Sequence, residues 1–152
     1  MIGGIDHIGI CVRNIDNLLP FYIDILGFEK ILDINKNNDK NINKYLNIDT
    51  ISMRIVMLKK SFNNKESYLE LTQIIDNKNV SNKKEFIENF TSYGLYEICF
   101  EVFDLKNMYS QLLEKGIKFI SEPQTVRFGL NKYNIVYTTD PEGVIIELFE
   151  KL

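Results

Sequence analysis

The sequence predicts an α+β chain made of two tandem β-α-β-β-β modules. Three observations carry that prediction. The chain repeats itself, each copy passes from strand-like alternation to an amphipathic helix, and each helical stretch stops at a glycine. Residues 5 to 31, "IDHIGICVRNIDNLLPFYIDILGFEKI", align with residues 95 to 120, "LYEICFEVFDLKNMYSQLLEKGIKFI".

In the first copy the opening strand is "HIGICV". Asn14 or Asp16 is positioned to cap the helix that follows, because a short polar side chain satisfies orphan N–H groups. The helix ends at Gly27, and a second strand, "FEKILDI", comes next. The Asn-rich stretch "NKNNDKNINKYLN" reads as a solvated loop or lid. Two further strands close the module, "ISMRIVMLK" (51 to 59) and "ESYLELTQI" (66 to 74). The second copy repeats the plan. Its opening strand is "YEICFEV", Asp104 caps the helix, Gly116 ends it, and "IKFIS", "KYNIVYTT" (132 to 139) and "GVIIELFEKL" (143 to 152) are its remaining strands. Module 1 spans about residues 4 to 76 and module 2 about 94 to 151. Residues 77 to 93 are the expected linker. The copies are offset by 90 residues at the first strand and 77 at the last, and the Asn-rich insertion accounts for most of the difference.

Composition sets the outer bounds. The chain has 152 residues, 45% hydrophobic and 26% charged, as in an ordinary globular protein. Its net charge is -3 and its 15 Lys and three Arg are scattered, so nucleic acid is not an expected partner. Cys11 and Cys99 lie in apolar strand-like runs and read as small buried hydrophobes in a reducing compartment. No apolar run approaches the roughly 18 residues of a membrane span, and the start, "MIGGIDHIGICV", lacks the basic and apolar regions of a signal peptide. The expected location is the cytoplasm.

The period of two then sorts the polar residues. His7, Gly9 and Cys11 share one strand face, and Ile8, Ile10 and Val12 share the other. Tyr68, Glu70 and Thr72 oppose Leu69 and Leu71; Glu97 sits with Cys99, and Glu147 with Ile145 and Phe149. The repeat alignment makes His7 equivalent to Glu97, and Glu70 equivalent to Glu147. Singly, a lone histidine or a strand carboxylate is ordinarily a core or surface group. Four of them at repeat-equivalent places on the non-helical face suggest a site.

The stretches "DHIGICVRNIDNLLPFYIDILGF", "YLELTQ", "GLYEICFEVFDL", "LLEKGIKF" and "DPEGVIIELFE" resemble the vicinal oxygen chelate superfamily. That superfamily includes glyoxalase I, methylmalonyl-CoA epimerase, extradiol dioxygenases and the fosfomycin and bleomycin resistance proteins. The resemblance implies that the two modules form a cup-shaped mixed sheet with the helices outside and a divalent metal at its floor. Carried over by position, the ligands are His7, Glu70, Glu97 and Glu147. Glyoxalase I and the epimerase usually have histidine where this chain has Glu97.

Three carboxylates and one imidazole favour Mn²⁺, Fe²⁺, Mg²⁺ or Co²⁺, with Zn²⁺ and Ni²⁺ remaining open. The implied chemistry is that of a lyase, isomerase or epimerase. The ion stabilises an enolate of a small oxygen-chelating substrate while Glu147 or Glu70 moves the proton. Dioxygenase and thiol-transfer chemistry expect two histidines, and this chain has one. Tyr68, Cys99, Arg127 and Phe149 are the candidate pocket residues. The competing expectation is a metal-free small-molecule-binding protein of the bleomycin-resistance kind, in which Glu97 bonds a tyrosine hydroxyl or Arg127. A homodimer is expected by resemblance alone.

Overall fold

In the computed structural model, which describes residues 4–47, 49–75 and 93–152, each copy of the repeat forms its own four-stranded sheet. The chain divides into two units, Met1–Ser81 and Asn82–Leu152. In unit 1, β1 (Ile8–Val12) leads through a helix to β2 (Glu29–Asn37), then β3 (Ser52–Phe62) and β4 (Lys65–Ile74), in the spatial order β1-β4-β3-β2. In unit 2, β5 (Glu97–Glu101), β6 (Gln124–Phe128), β7 (Asn131–Thr139) and β8 (Ile145–Lys151) follow the same plan, in the order β5-β8-β7-β6. The first and last strand of each unit run parallel, and the other pairs are antiparallel.

The register reproduces the repeat residue by residue. Gly9 pairs with Glu70 in unit 1, and Cys99 pairs with Glu147 in unit 2. These pairs sit at the offsets of 90 and 77 residues read from the sequence. One face of each sheet is apolar, because alternate residues of a strand share a face. Ile10, Leu71 and Val56 line it in unit 1, and Phe100, Leu148 and Val136 occupy the corresponding places in unit 2.

Helix α1 (Ile15–Pro20) covers this face in unit 1 with Ile15 and Leu18, both fully buried, and continues as a π-helical turn over Phe21–Ile25. Pro20 brings no N–H to the helix ladder, and the wider turn follows directly after it. Tyr22 packs edge-on against Phe21 at 5.2 Å and Phe28 at 6.1 Å. Asn14 is the capping residue: its side chain accepts from Asp16 N, while Gln73 Oε1 on β4 accepts from Ile15 N. After α2 of the insertion (Lys40–Leu46), the corresponding helix of unit 2 is α3 (Leu105–Glu114). Asp104 caps it, and Glu150 Oε1 on β8 accepts from Asp104 N. Gly27 and Gly116 end the two helices at φ +71° and +82°, which an L side chain rarely adopts.

Three expectations need correction. The Asn-rich stretch is not a loop throughout: Asp39 caps helix α2, and the buried Asn43 ties that helix to its surroundings. Its Nδ2 donates to Asn38 Oδ1 (2.7 Å) and Asp49 O (3.2 Å), and its Oδ1 accepts from Ile51 N (3.1 Å). These bonds connect parts of the chain that local pattern cannot relate.

"IKFIS" is not a strand either. It touches β7 through a single bridge, Phe119–Thr138, and the strand is Gln124–Phe128. Pro123, which has no N–H to give a ladder, separates the two. Cys11 and Cys99 are free and exposed instead of buried, because they belong to the face away from the helices. The expected linker falls almost wholly outside the described residues. Among the described residues, no helix is long and apolar enough to cross a membrane.

Candidate functional site

Each unit brings two of the four candidate ligands to the face opposite its helix. In unit 1 Gly9 stands beside Glu70 in the parallel ladder, and Met57 stands across from Glu70 on β3. A Cβ added at Gly9 would lie 3.9 Å from Glu70 Oε1, an ordinary van der Waals contact. Thr72 Oγ1 donates to the same oxygen at 3.0 Å. His7 is exposed and its Nδ1 donates to Asp6 Oδ2 at 2.8 Å. That bond raises the imidazole pKa above its ordinary value, with Glu70 adding to the effect and desolvation opposing it. Tyr68 shares the face but is engaged elsewhere: its hydroxyl donates to Glu66, which also pairs with Lys59.

Unit 2 arranges the equivalent positions differently. Glu147 is buried at 9% exposure and stands between Cys99 on β5 and Tyr137 on β7. Tyr137 Oη donates to Glu147 Oε1 at 3.3 Å. Tyr96 and Tyr137 stand near the Glu97 carboxyl, whose Oε2 is buried with no hydrogen-bond partner among the described residues. Burial pushes the Glu97 pKa up and the neighbouring Glu147 charge adds to this, against the two tyrosines. Desolvation and Glu147 likewise raise the Tyr137 phenol and the Cys99 thiol. Cys99 keeps exposed area beside Glu147, its partner in the ladder.

An aromatic row continues this face. Phe149 lies 4.6 Å from Tyr133, and Tyr133 lies 5.7 Å from Phe128, centroid to centroid. Arg127 does not join it. It pairs with Lys132, one residue out of phase with Val126 opposite Tyr133, and so lies exposed on the other face of β6. Sequence reasoning did not single out Tyr96 and Tyr137. The signal for Tyr137 was the short turn between β7 and β8. Asp140 Oδ1 accepts from Glu142 N and Val144 N there, and this fixes the register that sets Tyr137 opposite Glu147.

Among the described residues, no three His, Cys, Asp or Glu side chains gather into a group that would hold a metal ion. His7 and Glu70 lie in unit 1, and Glu97 and Glu147 in unit 2. A carboxylate pair such as Glu97 and Glu147 suits an oxygen-preferring divalent cation. The orphaned Oε2 of Glu97 fits the same reading, because a buried carboxylate oxygen calls for a cation or a donor.

Comparison with known proteins agrees with the architecture. The chain is similar in structure to a glyoxalase family protein from Bacillus cereus, with TM-score 0.79 and 20% identity, covering 100% of this chain and 96% of that one. It is also similar to a glyoxalase family protein from Enterococcus faecalis (TM-score 0.64, 20% identity, 97% of each chain). A glyoxylase/bleomycin resistance protein/dioxygenase domain from Frankia sp. EAN1pec aligns with TM-score 0.64 at 16% identity, over 100% of this chain and 94% of that one. At these identities the likeness concerns the fold. No curated protein matches the sequence. The family model for the Glyoxalase/Bleomycin resistance protein/Dioxygenase superfamily matches residues 4–148, nearly the whole chain, and to that superfamily this chain belongs.

Proposed function

We propose that this chain is a glyoxalase-like lyase or isomerase that acts on a small oxygen-bearing molecule with the help of a divalent ion. The observation that carries this reading is the buried, unpartnered Oε2 of Glu97 beside Glu147. An isolated buried carboxylate oxygen is costly, and a bound cation removes that cost. Glu97 and Glu147 would be its ligands in unit 2, with His7 and Glu70 at the equivalent positions of unit 1. When bound, it would supply Lewis acidity to substrate oxygens and stabilise negative charge that develops on them.

The chain's own residues do the rest. Glu70 or Glu147 accepts a proton from the carbon beside a substrate carbonyl and returns it to a neighbouring position, which is proton-transfer chemistry of the isomerase or lyase kind. The apolar rings of Tyr133, Phe149 and Phe128 receive the rest of the molecule.

Calorimetric and thermal-shift titration of chelator-treated protein with Mn²⁺, Co²⁺, Ni²⁺, Zn²⁺ and Mg²⁺ tests the reading. A single ion should bind per chain and raise the melting temperature, and Glu97→Ala and Glu147→Ala should abolish that rise. If wild type and variants respond alike to every ion, the metal-dependent reading is wrong. A second reading then stands, a metal-free protein that holds a small molecule. The tyrosines beside Glu97 favour it, since Tyr96 and Tyr137 counter the rise of that carboxyl's pKa without any ion.

A further inference from the structure

We infer that Thr72 and Tyr137 are positioning residues, each orienting one carboxylate of the candidate site: Thr72 that of Glu70, and Tyr137 that of Glu147. The inference rests on the proposed role of those two glutamates as ligands or proton carriers. Thr72 Oγ1 donates to Glu70 Oε1 at 3.0 Å, from two residues further along the same face of β4. Tyr137 Oη donates to Glu147 Oε1 at 3.3 Å from the neighbouring strand β7. The last torsion of a glutamate side chain has a broad distribution, so rotamer preference does not fix the carboxylate plane. A hydroxyl bonded to one oxygen restricts that torsion, and so sets where the second oxygen faces.

The two units reach this arrangement from different positions. The place of Thr72, paired with Cys11 and Ile55 in unit 1, is held in unit 2 by Phe149, paired with Glu101 and Ile135. The place of Tyr137, across from Glu147, is held in unit 1 by Met57, across from Glu70. Neither a phenylalanine nor a methionine side chain can donate a hydrogen bond. The shared frame therefore requires a hydroxyl at neither place, since each unit accepts an apolar side chain where the other carries the donor. What the units have in common is a glutamate with a hydroxyl on one oxygen. A packing requirement would recur at one register position, whereas a requirement of the carboxylate itself can be met from either.

Crystal structures and Mn²⁺ calorimetry of the full chain test this. In metal-free crystals the Glu70 carboxylate should keep one orientation in wild type and in Thr72→Ser, which retains the hydroxyl. It should spread over several in Thr72→Val, which retains the shape. The Glu147 carboxylate should likewise be ordered in wild type and spread in Tyr137→Phe. Mn²⁺ affinity should fall about tenfold in Thr72→Val and in Tyr137→Phe, as when a ligand loses the partner that orients it, and stay near wild type in Thr72→Ser.

Carboxylates that keep their orientation in Thr72→Val and Tyr137→Phe overturn the inference, whatever Mn²⁺ does. So does a Mn²⁺ affinity that Thr72→Val and Thr72→Ser lower alike, because the hydroxyl is then not the group that matters. Loss of orientation in both variants of a protein whose wild type binds no Mn²⁺ upholds the positioning role and removes the metal from the proposed function.

Discussion

The two units share a frame and differ in how they satisfy the polar groups built on it. In unit 1 two neighbouring strands and the helix are joined by ions: Arg54 donates to Asp33 at 2.9 Å and to Asp16 at 2.8 Å, so one guanidinium ties β3 to β2 and to α1. At the equivalent place in unit 2 stands Asn134, which accepts from Thr125 Oγ1 and donates to Glu150 Oε2. On the opposite face the difference runs the other way. Unit 1 has the exposed His7 with Glu70, while unit 2 buries Glu147, raises the Glu97 pKa and brings in Tyr137. One register therefore carries two chemistries, and the backbone ladder alone says little about which.

The largest effects should show the shared frame. Leu71 and Leu148 are equivalent by register and fully buried. Leu71→Ala and Leu148→Ala should each cost about 2–5 kcal/mol in denaturant unfolding. A cost near zero at either position would break the equivalence. Next comes the feature that only unit 1 possesses. Asn43→Ala leaves Ile51 N–H and Asp49 C=O without their partner and should cost about 1–3 kcal/mol. Hydrogen exchange should speed up in residues 38–51 and stay unchanged in the β6–β7 hairpin, which Gly129 and Leu130 close with no insertion.

Arg54→Met should cost about 1–2 kcal/mol at neutral pH, moderated by solvent at the partly exposed pair. Its pH dependence has a definite sign. The Arg54 guanidinium, helped by Lys30, holds the Asp33 carboxyl well below the usual carboxylate range in the folded protein. The stabilisation is whole above the unfolded carboxylate's pKa of about 3.9 and is lost as pH falls through the lowered folded value. The gap between wild type and Arg54→Met should therefore close below about pH 4, whereas Asn134→Ala should leave a gap with no such dependence on Asp33.

The smallest effect belongs to Glu97→Gln in metal-free protein. A carboxyl whose folded pKa is raised destabilises the fold as pH rises above the unfolded value of about 4.3, up to the raised value. The variant should thus gain about 1–3 °C in melting temperature over wild type between pH 5 and 8, and gain nothing at pH 4. A variant less stable than wild type at pH 8 would show that burial does not strain this carboxyl.

Much of the frame was legible because its signals are local. Alternation marked β1, β4, β5 and β8, and Asn14, Asp104, Gly27 and Gly116 marked the ends of two helices. The strand β6 was misplaced because Ile117 to Ser121 alternates like a strand, and only Pro123 and the pairing with β7 show where the ladder runs. Helix α2 was missed because Asn-rich composition reads as a loop, while Asn43 finds its partners at Asn38, Asp49 and Ile51. Arg127 was placed with the pocket from its proximity to a strand, and one residue of register put it on the other face.

The candidate site divides along the same line. Its four chemical positions follow from a period of two and a duplicated pattern, both written in the chain itself, so His7, Glu70, Glu97 and Glu147 were named by the sequence alone. Their environments were not. Whether a carboxylate is buried, which phenol reaches it and which oxygen stays unpartnered depend on strands that meet only after folding. Tyr137 on β7 donates to Glu147 only because the β7–β8 register sets the two opposite each other. Side-chain identity and alternation are local properties, whereas desolvation and hydrogen bonding are set by neighbours that register brings together.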